Sequence, residues 1–197
     1  MKYFSLVLLI VFIISCKNDP KGETKIEPEP VAETQSKAEN QVDPSVLKMW
    51  EAYISAHPEF KDVSIPEADF FHNNREDANR LAQLTIEGKK QASSGLYSLY
   101  KQYQVDLPTI GTKQIVTDFG GKAKAIIENT QVDTIPFHQV TQEYATLDMG
   151  TDVEPLKKWR KAHWDFFEGF LKESGGAPSE EMLVVCVRFK TIWPKLD

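Results

Sequence analysis

The sequence predicts an α+β domain in which helices flank a small, barrel-like sheet. Two amphipathic helical patterns come first, a glycine-centred hairpin pattern follows them, and an apolar segment over 183–193 has the composition of a strand. We expect that last segment to return to the hairpin and complete the sheet. The chain has 197 residues, of which 41% are hydrophobic, so it can form one packed core.

The first 16 residues resemble a bacterial lipoprotein signal peptide. Lys2 precedes an apolar run over 6–14, which is shorter than a transmembrane helix needs. The run ends in the letters IISC, and this resembles a lipobox, in which cleavage leaves Cys16 as a lipid-modified N-terminus. An uncleaved anchor helix is the alternative. Both interpretations predict a protein of the cell envelope that is anchored to a bacterial membrane and faces away from the cytoplasm.

Residues 17–43 are predicted to form a disordered linker. This segment contains three prolines, many charged residues and no aromatic residue, so it cannot bury enough apolar surface to fold. We therefore place the globular domain at 44–197.

Two amphipathic helices are predicted in the first half of the domain. The first extends from about Pro44 to Ala56, and Asp43 or Ser45 can cap it. Its apolar stripe consists of Val46, Leu47, Trp50, Tyr53 and Ile54. The second begins near Arg75 and ends at Gly88, because a glycine after the last apolar position commonly terminates a helix. Its apolar face consists of Ala78, Leu81, Ala82, Leu84, Thr85 and Ile86.

The middle of the chain predicts a β-hairpin. A short helix over 96–103 and a loop over 107–111 come before it. The strands are expected over 113–119 and 123–135, since the pair Gly120-Gly121 interrupts two runs rich in β-branched and apolar residues.

The last third of the domain predicts two helices and a strand. We expect a short helix over 136–144, a loop over 146–153 and a long helix over 154–173, which shows the clearest helical spacing in the chain. The strand over 183–193 follows, and Cys186 within it is expected to be an unreactive core thiol.

The candidate site begins at the run EGKKQASSG over 87–95. If a strand follows the glycine, alternation places Lys90, Ala92 and Ser94 on one face and Lys89, Gln91 and Ser93 on the other. A lysine that is withdrawn from water favours its neutral form, and a nearby hydroxyl then has an activating base. A solvated polar turn is the alternative interpretation.

The order of motifs along residues 44–194 resembles the ASCH domain family. The motifs are the helix around Trp50, the pair Phe70-Phe71, the runs GKKQAS and LPTIGT, the glycine hairpin, the run IPFHQVT, and the patterns WRxxHxxFF and VVCxxF. The family is similar in fold to PUA domains, which are small β-barrels with flanking helices and are usually associated with RNA or modified nucleosides. The resemblance therefore implies a PUA-like fold.

The resemblance also implies a set of site residues. Gly88 and Lys90 match the family signature, whereas Ser93 and Gly95 stand where the first-described pattern has an acidic residue and an arginine. One branch resembles an amidohydrolase that removes the acetyl group from N4-acetylcytidine with a lysine, a hydroxyl three residues later and a downstream carboxylate. Lys90, Ser93 and Asp148 would take these catalytic roles, with serine in place of threonine and aspartate in place of glutamate.

Several neighbouring residues remain open at this point. Asp152 and Glu143 are alternatives to Asp148 as the carboxylate. His163 lies on an apolar helical stripe, where a packing histidine is more common than a general base. The remaining ligand-binding candidates are Gly88, Lys89, Ser94 and Arg160, although Arg160 could also belong to a solvated helix face.

Composition limits the function classes. From Pro44 onward the chain has 18 Lys plus Arg against 22 Asp plus Glu, a net charge of −4, which disfavours nonspecific RNA binding. No metal-ligand spacing, Walker loop or GxGxxG motif is present, so we expect no metal and no cofactor. The expected partners are a small nucleoside-like or nucleotide-like ligand, whose amide the protein would hydrolyse, and the membrane. The alternatives are an RNA-binding module or ribonuclease, and a non-catalytic envelope lipoprotein.

Overall fold

The computed structural model describes residues 42–194. The predicted signal peptide 1–16 with its lipidation site Cys16, and all but the end of the predicted linker, lie outside these residues. The helices are α1 (Pro44–Ala56), α2 (Arg75–Ile86), α3 (Tyr97–Tyr103), α4 (Gln142–Met149) and α5 (Pro155–Glu173), and the strands are β1 (Ala68–Asp69), β2 (Ala92–Leu96), β3 (Lys113–Thr117), β4 (Ala123–Pro136) and β5 (Leu183–Trp193). Within this range, every helix is too short or too polar to cross a membrane.

The five strands form one sheet in the order β1-β3-β4-β5-β2. The pair β1–β3 is parallel, and the other three pairs are antiparallel. The hairpin β3–β4 and the return of β5 to β4 are confirmed, and so is the α+β class with flanking helices. The sheet is not closed, because β1 and β2 stand at its two edges among the described strands.

Helix α1 packs on the sheet through a narrower face than the sequence predicts. The Asp43 side chain accepts a hydrogen bond from the Ser45 backbone N–H at 2.8 Å, which caps the helix as expected. Val46, Trp50 and Tyr53 are buried, but Leu47 is 51% exposed. The prediction that Leu47 belongs to the buried stripe is therefore wrong. Spacings of four and three residues keep the three buried side chains on one line, from which Leu47 is rotated away.

The end of α2 brings the candidate lysine to the sheet edge. Gly88 has φ +64°, and the N–H groups of Gly88 and Lys89 donate to the carbonyls of Thr85 and Leu84, the pattern of a Schellman cap. The predicted helix stop at Gly88 is confirmed. The chain then turns directly into β2, and the Gln91 N–H donates to Leu147 O at 2.8 Å, which joins this turn to α4.

Helix α4 differs from the sequence prediction. A 3₁₀ turn over Phe137–Gln139 stands where the short helix was expected to begin, and α4 then continues past Tyr144 into the expected loop. The Thr141 side chain caps its start, and Gly150, at φ +64°, ends it. Asp148 therefore lies in the last turn of a helix and not in a loop, so the helix determines the position of its side chain.

Candidate functional site

Lys90 is buried, with an exposed fraction of only 2%. Its Nζ donates to Asp148 Oδ1 at 2.6 Å, to Asp148 O at 2.9 Å and to Ala92 O at 2.7 Å. A lysine ammonium has three N–H donors, so these three acceptors use all of them. The geometry suits the charged ammonium, and a neutral amine with a free lone pair would have to give up one of these bonds.

Asp148 is the centre of the buried network. It is 3% exposed, and its Oδ2 accepts hydrogen bonds from Ser94 Oγ at 2.6 Å and from Trp159 Nε1 at 2.9 Å. Burial alone would raise the pKa of Asp148, but the Lys90 charge and the hydrogen bonds from Lys90 and Ser94 outweigh burial, so the pKa lies below its ordinary value. The carboxylate is thus ionised and held by donors on both oxygens.

His163 combines packing with a polar contact. Its ring stacks on Trp159 at 4.4 Å between centroids, as expected for a core histidine. Nδ1 lies 3.0 Å from Trp159 O, and because a carbonyl only accepts, Nδ1 carries a hydrogen. Nε2 faces Asp148 Oδ2 at 3.4 Å. Burial lowers the pKa of His163 and favours the neutral imidazole.

The two serines of β2 face different surroundings. Ser94 pairs with Cys186 across the sheet, and Ser93 pairs with Val187, so alternation turns them to opposite faces. The Ser94 hydroxyl lies on the same face as Lys90, as predicted, and bonds to Asp148. Ser93 lies on the face of Val187, and its carbonyl accepts from Tyr144 Oη at 2.6 Å.

Two spaces share these serines in their linings. A recess of about 130 Å³ is lined by Lys90 and Asp148 together with His163. A cleft of about 890 Å³ lies beside it, between β2 and the segment before β1. Phe71, Ser93 and Ser94 line both spaces; we use the names recess and cleft for them below.

The remaining predicted residues lie elsewhere. Lys89 is exposed and pairs with Glu87, and Gly88 ends α2. Arg160 donates to Glu180 Oε2 and to His138 O, each at 3.0 Å, and lines a different cavity of about 820 Å³.

Only one of the three carboxylates considered contacts Lys90 in the described part of the chain. Glu143 pairs with Arg188, and Asp152 lines the cavity of Arg160. Asp148 is the carboxylate that meets the lysine. No group of three or more His, Cys, Asp or Glu side chains between residues 42 and 194 could hold a metal ion.

Trp159 is a residue of the site that the sequence pattern alone does not single out. The ring is fully buried, and its Nε1–H donates to Asp148 and, at 3.2 Å, to Ser94 Oγ. A buried indole N–H needs an acceptor, so a tryptophan on the apolar face of α5 was the available signal for a nearby polar group.

The chain is similar to known ASCH domains in sequence and in fold. The ASCH domain model matches residues 67–193. An ASCH domain structure from Lactobacillus crispatus is 29% identical with a TM-score of 0.69, covering 77% of this chain and 96% of that one. A protein structure from Enterococcus faecalis is 28% identical with a TM-score of 0.68, covering 75% and 88%. No curated protein matches the chain.

The fold and the site together define a PUA-like α+β domain with a buried lysine–aspartate pair that lines a small recess beside a larger cleft. The family match covers well over half of the chain. The chain belongs to the ASCH domain family.

Proposed function

We propose that this ASCH domain binds a small nucleoside-like ligand in the cleft and hydrolyses an amide on it at the recess. The observation that carries the proposal is the pair of 2.6 Å hydrogen bonds on Asp148, one from Lys90 Nζ and one from Ser94 Oγ, where the recess meets the cleft. The cleft has the volume of a small-molecule site, whereas the recess has room for only a small substituent.

The groups around Asp148 supply the parts of acyl transfer. Lys90 can exchange one of its acceptors for the ligand's carbonyl oxygen, and its charge then stabilises the negative charge that develops there. Asp148 loses part of its cationic partner at that moment, so its pKa rises and it can accept a proton from the serine hydroxyl. The hydroxyl oxygen attacks the carbonyl carbon, the C–N bond breaks, and Asp148 passes the proton to the departing amine nitrogen. Water then cleaves the acyl–serine ester, which gives the carboxylic acid and restores the serine hydroxyl.

The family spacing and the geometry indicate different residues as the source of the reacting hydroxyl. The spacing from Lys90 indicates Ser93 as the reacting residue, whereas the hydrogen bond to Asp148 indicates Ser94. We propose Ser94 as the reacting hydroxyl and Ser93 as a residue that contacts the ligand in the cleft.

The test compares hydrolysis of N4-acetylcytidine by the wild type, Ser93→Ala and Ser94→Ala, which differ by one position. We expect Ser94→Ala to lower kcat by at least about 100-fold, the usual effect of losing a nucleophile or its base, with a smaller effect of Ser93→Ala mainly on KM. Circular dichroism confirms that each variant is folded.

The two single variants separate the assignments. Loss confined to Ser93→Ala would assign the reaction to the residue that the family spacing names, and Ser94 would then only position Asp148. If the wild type neither binds nor hydrolyses acylated nucleosides, the amidohydrolase proposal fails. Binding without turnover would leave a ligand-binding module.

We also propose that the mature protein begins at a lipid-modified Cys16 and is anchored to a bacterial membrane. The apolar run over 6–14 and the following letters IISC support this. Mass spectrometry of the membrane fraction should find diacylglycerol on Cys16, and Cys16→Ser should release the protein from the membrane. A mature form that begins at another residue would rule the anchor out.

A further inference from the structure

The cleft is bordered by apolar side chains that stand in water. Val63 and Ile65 come from the segment before β1, and Val105 and Leu107 come from the loop after α3, with exposed fractions between 38% and 58%. Isolated exposed apolar residues are common, but a group that converges on one cleft indicates a surface that a ligand covers. Ile110, in the same loop as Leu107, is 68% exposed and does not line the cleft.

Two aromatic rings and two aliphatic side chains also line the cleft, beside polar residues such as Ser93 and Asn129. Phe71 and Phe189 stack there with their centroids 6.0 Å apart, and Ile127 and Val187 lie beside them. The lining of the cleft therefore combines aromatic rings with apolar residues of two loops.

The charges of the cleft oppose an anionic ligand. Its charged lining residues in the described part of the chain are Glu67, Asp106 and Lys113. Glu67 and Asp106 are exposed, whereas Lys113 is 11% exposed on its side chain and is held by Glu128 at 2.9 Å. A phosphate in the cleft would meet two exposed carboxylates and one lysine, which is paired with a carboxylate that also contacts Lys190.

We infer that the cleft selects an uncharged, flat ligand and excludes phosphate, with Leu107 on the apolar side and Glu67 and Asp106 as the residues that reject anions. This rests on the proposed function for the identity of the reacting group, since Ser94 lines both the cleft and the recess. The ligand class is then a free nucleoside or a similar neutral aromatic amide, and nucleotides and RNA are excluded.

The first experiment uses two fluorescent dyes with the same rings, N-phenyl-1-naphthylamine, which is uncharged, and 1-anilinonaphthalene-8-sulfonate, which is anionic. We expect the full chain to bind the uncharged dye at least about tenfold more tightly at low salt. Leu107→Asp should lower the affinity for the uncharged dye by about tenfold, because it removes apolar contact. Ile110→Asp should leave that affinity unchanged.

The second experiment removes the rim charges. Glu67→Gln with Asp106→Asn should strengthen binding of the anionic dye by about fivefold at low salt, less at high salt, and leave the uncharged dye unchanged. The matched control is Glu51→Gln with Glu173→Gln, which changes the net charge equally at exposed positions outside the cleft. N4-acetylcytidine and its 5′-monophosphate are compared in the same variants.

The outcomes separate this inference from the proposed function. Equal affinity for the two dyes, no binding of either, or an equal effect of the control variant would overturn the inference. If the dyes behave as expected but no acylated nucleoside binds, the inference stands and the proposed function fails. If acetylcytidine is hydrolysed and its monophosphate binds equally well, the proposed function stands and the inference is overturned.

Discussion

Replacing Lys90 with methionine is expected to lower the free energy of unfolding by about 3–5 kcal/mol, because it leaves the Asp148 carboxylate buried without its partner. Urea denaturation followed by circular dichroism measures the change. Lys89→Met is the matched control, since the neighbouring lysine is exposed and pairs only with Glu87 at the surface. We expect that control to change the stability by less than about 0.5 kcal/mol.

A second variant and a pH series identify the cause. Lys90→Met combined with Asp148→Leu should recover most of the lost stability, because a buried ion pair can be replaced by apolar groups at little net cost. The pKa of Asp148 in the folded protein lies below its ordinary value of 3.8, so its ionisation stabilises the fold above that value, and this contribution is lost as pH falls through the lower, folded-state pKa. The wild type and Asp148→Asn should therefore converge in stability in strong acid. A loss under about 1 kcal/mol for Lys90→Met would show that water reaches Asp148.

Replacing Trp159 with alanine should destabilise the domain by about 3–5 kcal/mol, because the ring is fully buried between Phe137 and His163. Trp159→Phe keeps much of the ring but removes the Nε1–H that Asp148 Oδ2 accepts. We expect this variant to cost about 1–3 kcal/mol in thermal or chemical unfolding.

Trp164→Phe is the control for ring size. Trp164 lies on the same helix and contacts Phe137, but it is only partly buried and does not bond to Asp148. We expect it to cost less than Trp159→Phe. Equal costs for the two variants would mean that the indole N–H contributes nothing to holding the carboxylate.

The local chemistry of the sequence determined where most elements begin and end. Asp43 caps α1, Gly88 ends α2, and Gly120-Gly121 separates the strands of the hairpin, because each of these signals acts on backbone groups within a few residues. The alternation that placed Lys90 and Ser94 on one face is equally local. The predicted boundary that is wrong is the loop around Asp148, because Thr141 caps a helix there and Gly150 ends it.

The tertiary structure decided which of the candidate groups meet in the site. Lys90 and Asp148 are 58 positions apart, and they meet because the turn after α2 bonds to the last turn of α4. In the same packing Arg160 lies at a different cavity, and Trp159 contacts the Asp148 carboxylate. Spacing along the chain does not predict such contacts. They depend on the position at which each helix packs on the sheet, and the close packing of the whole core determines that position.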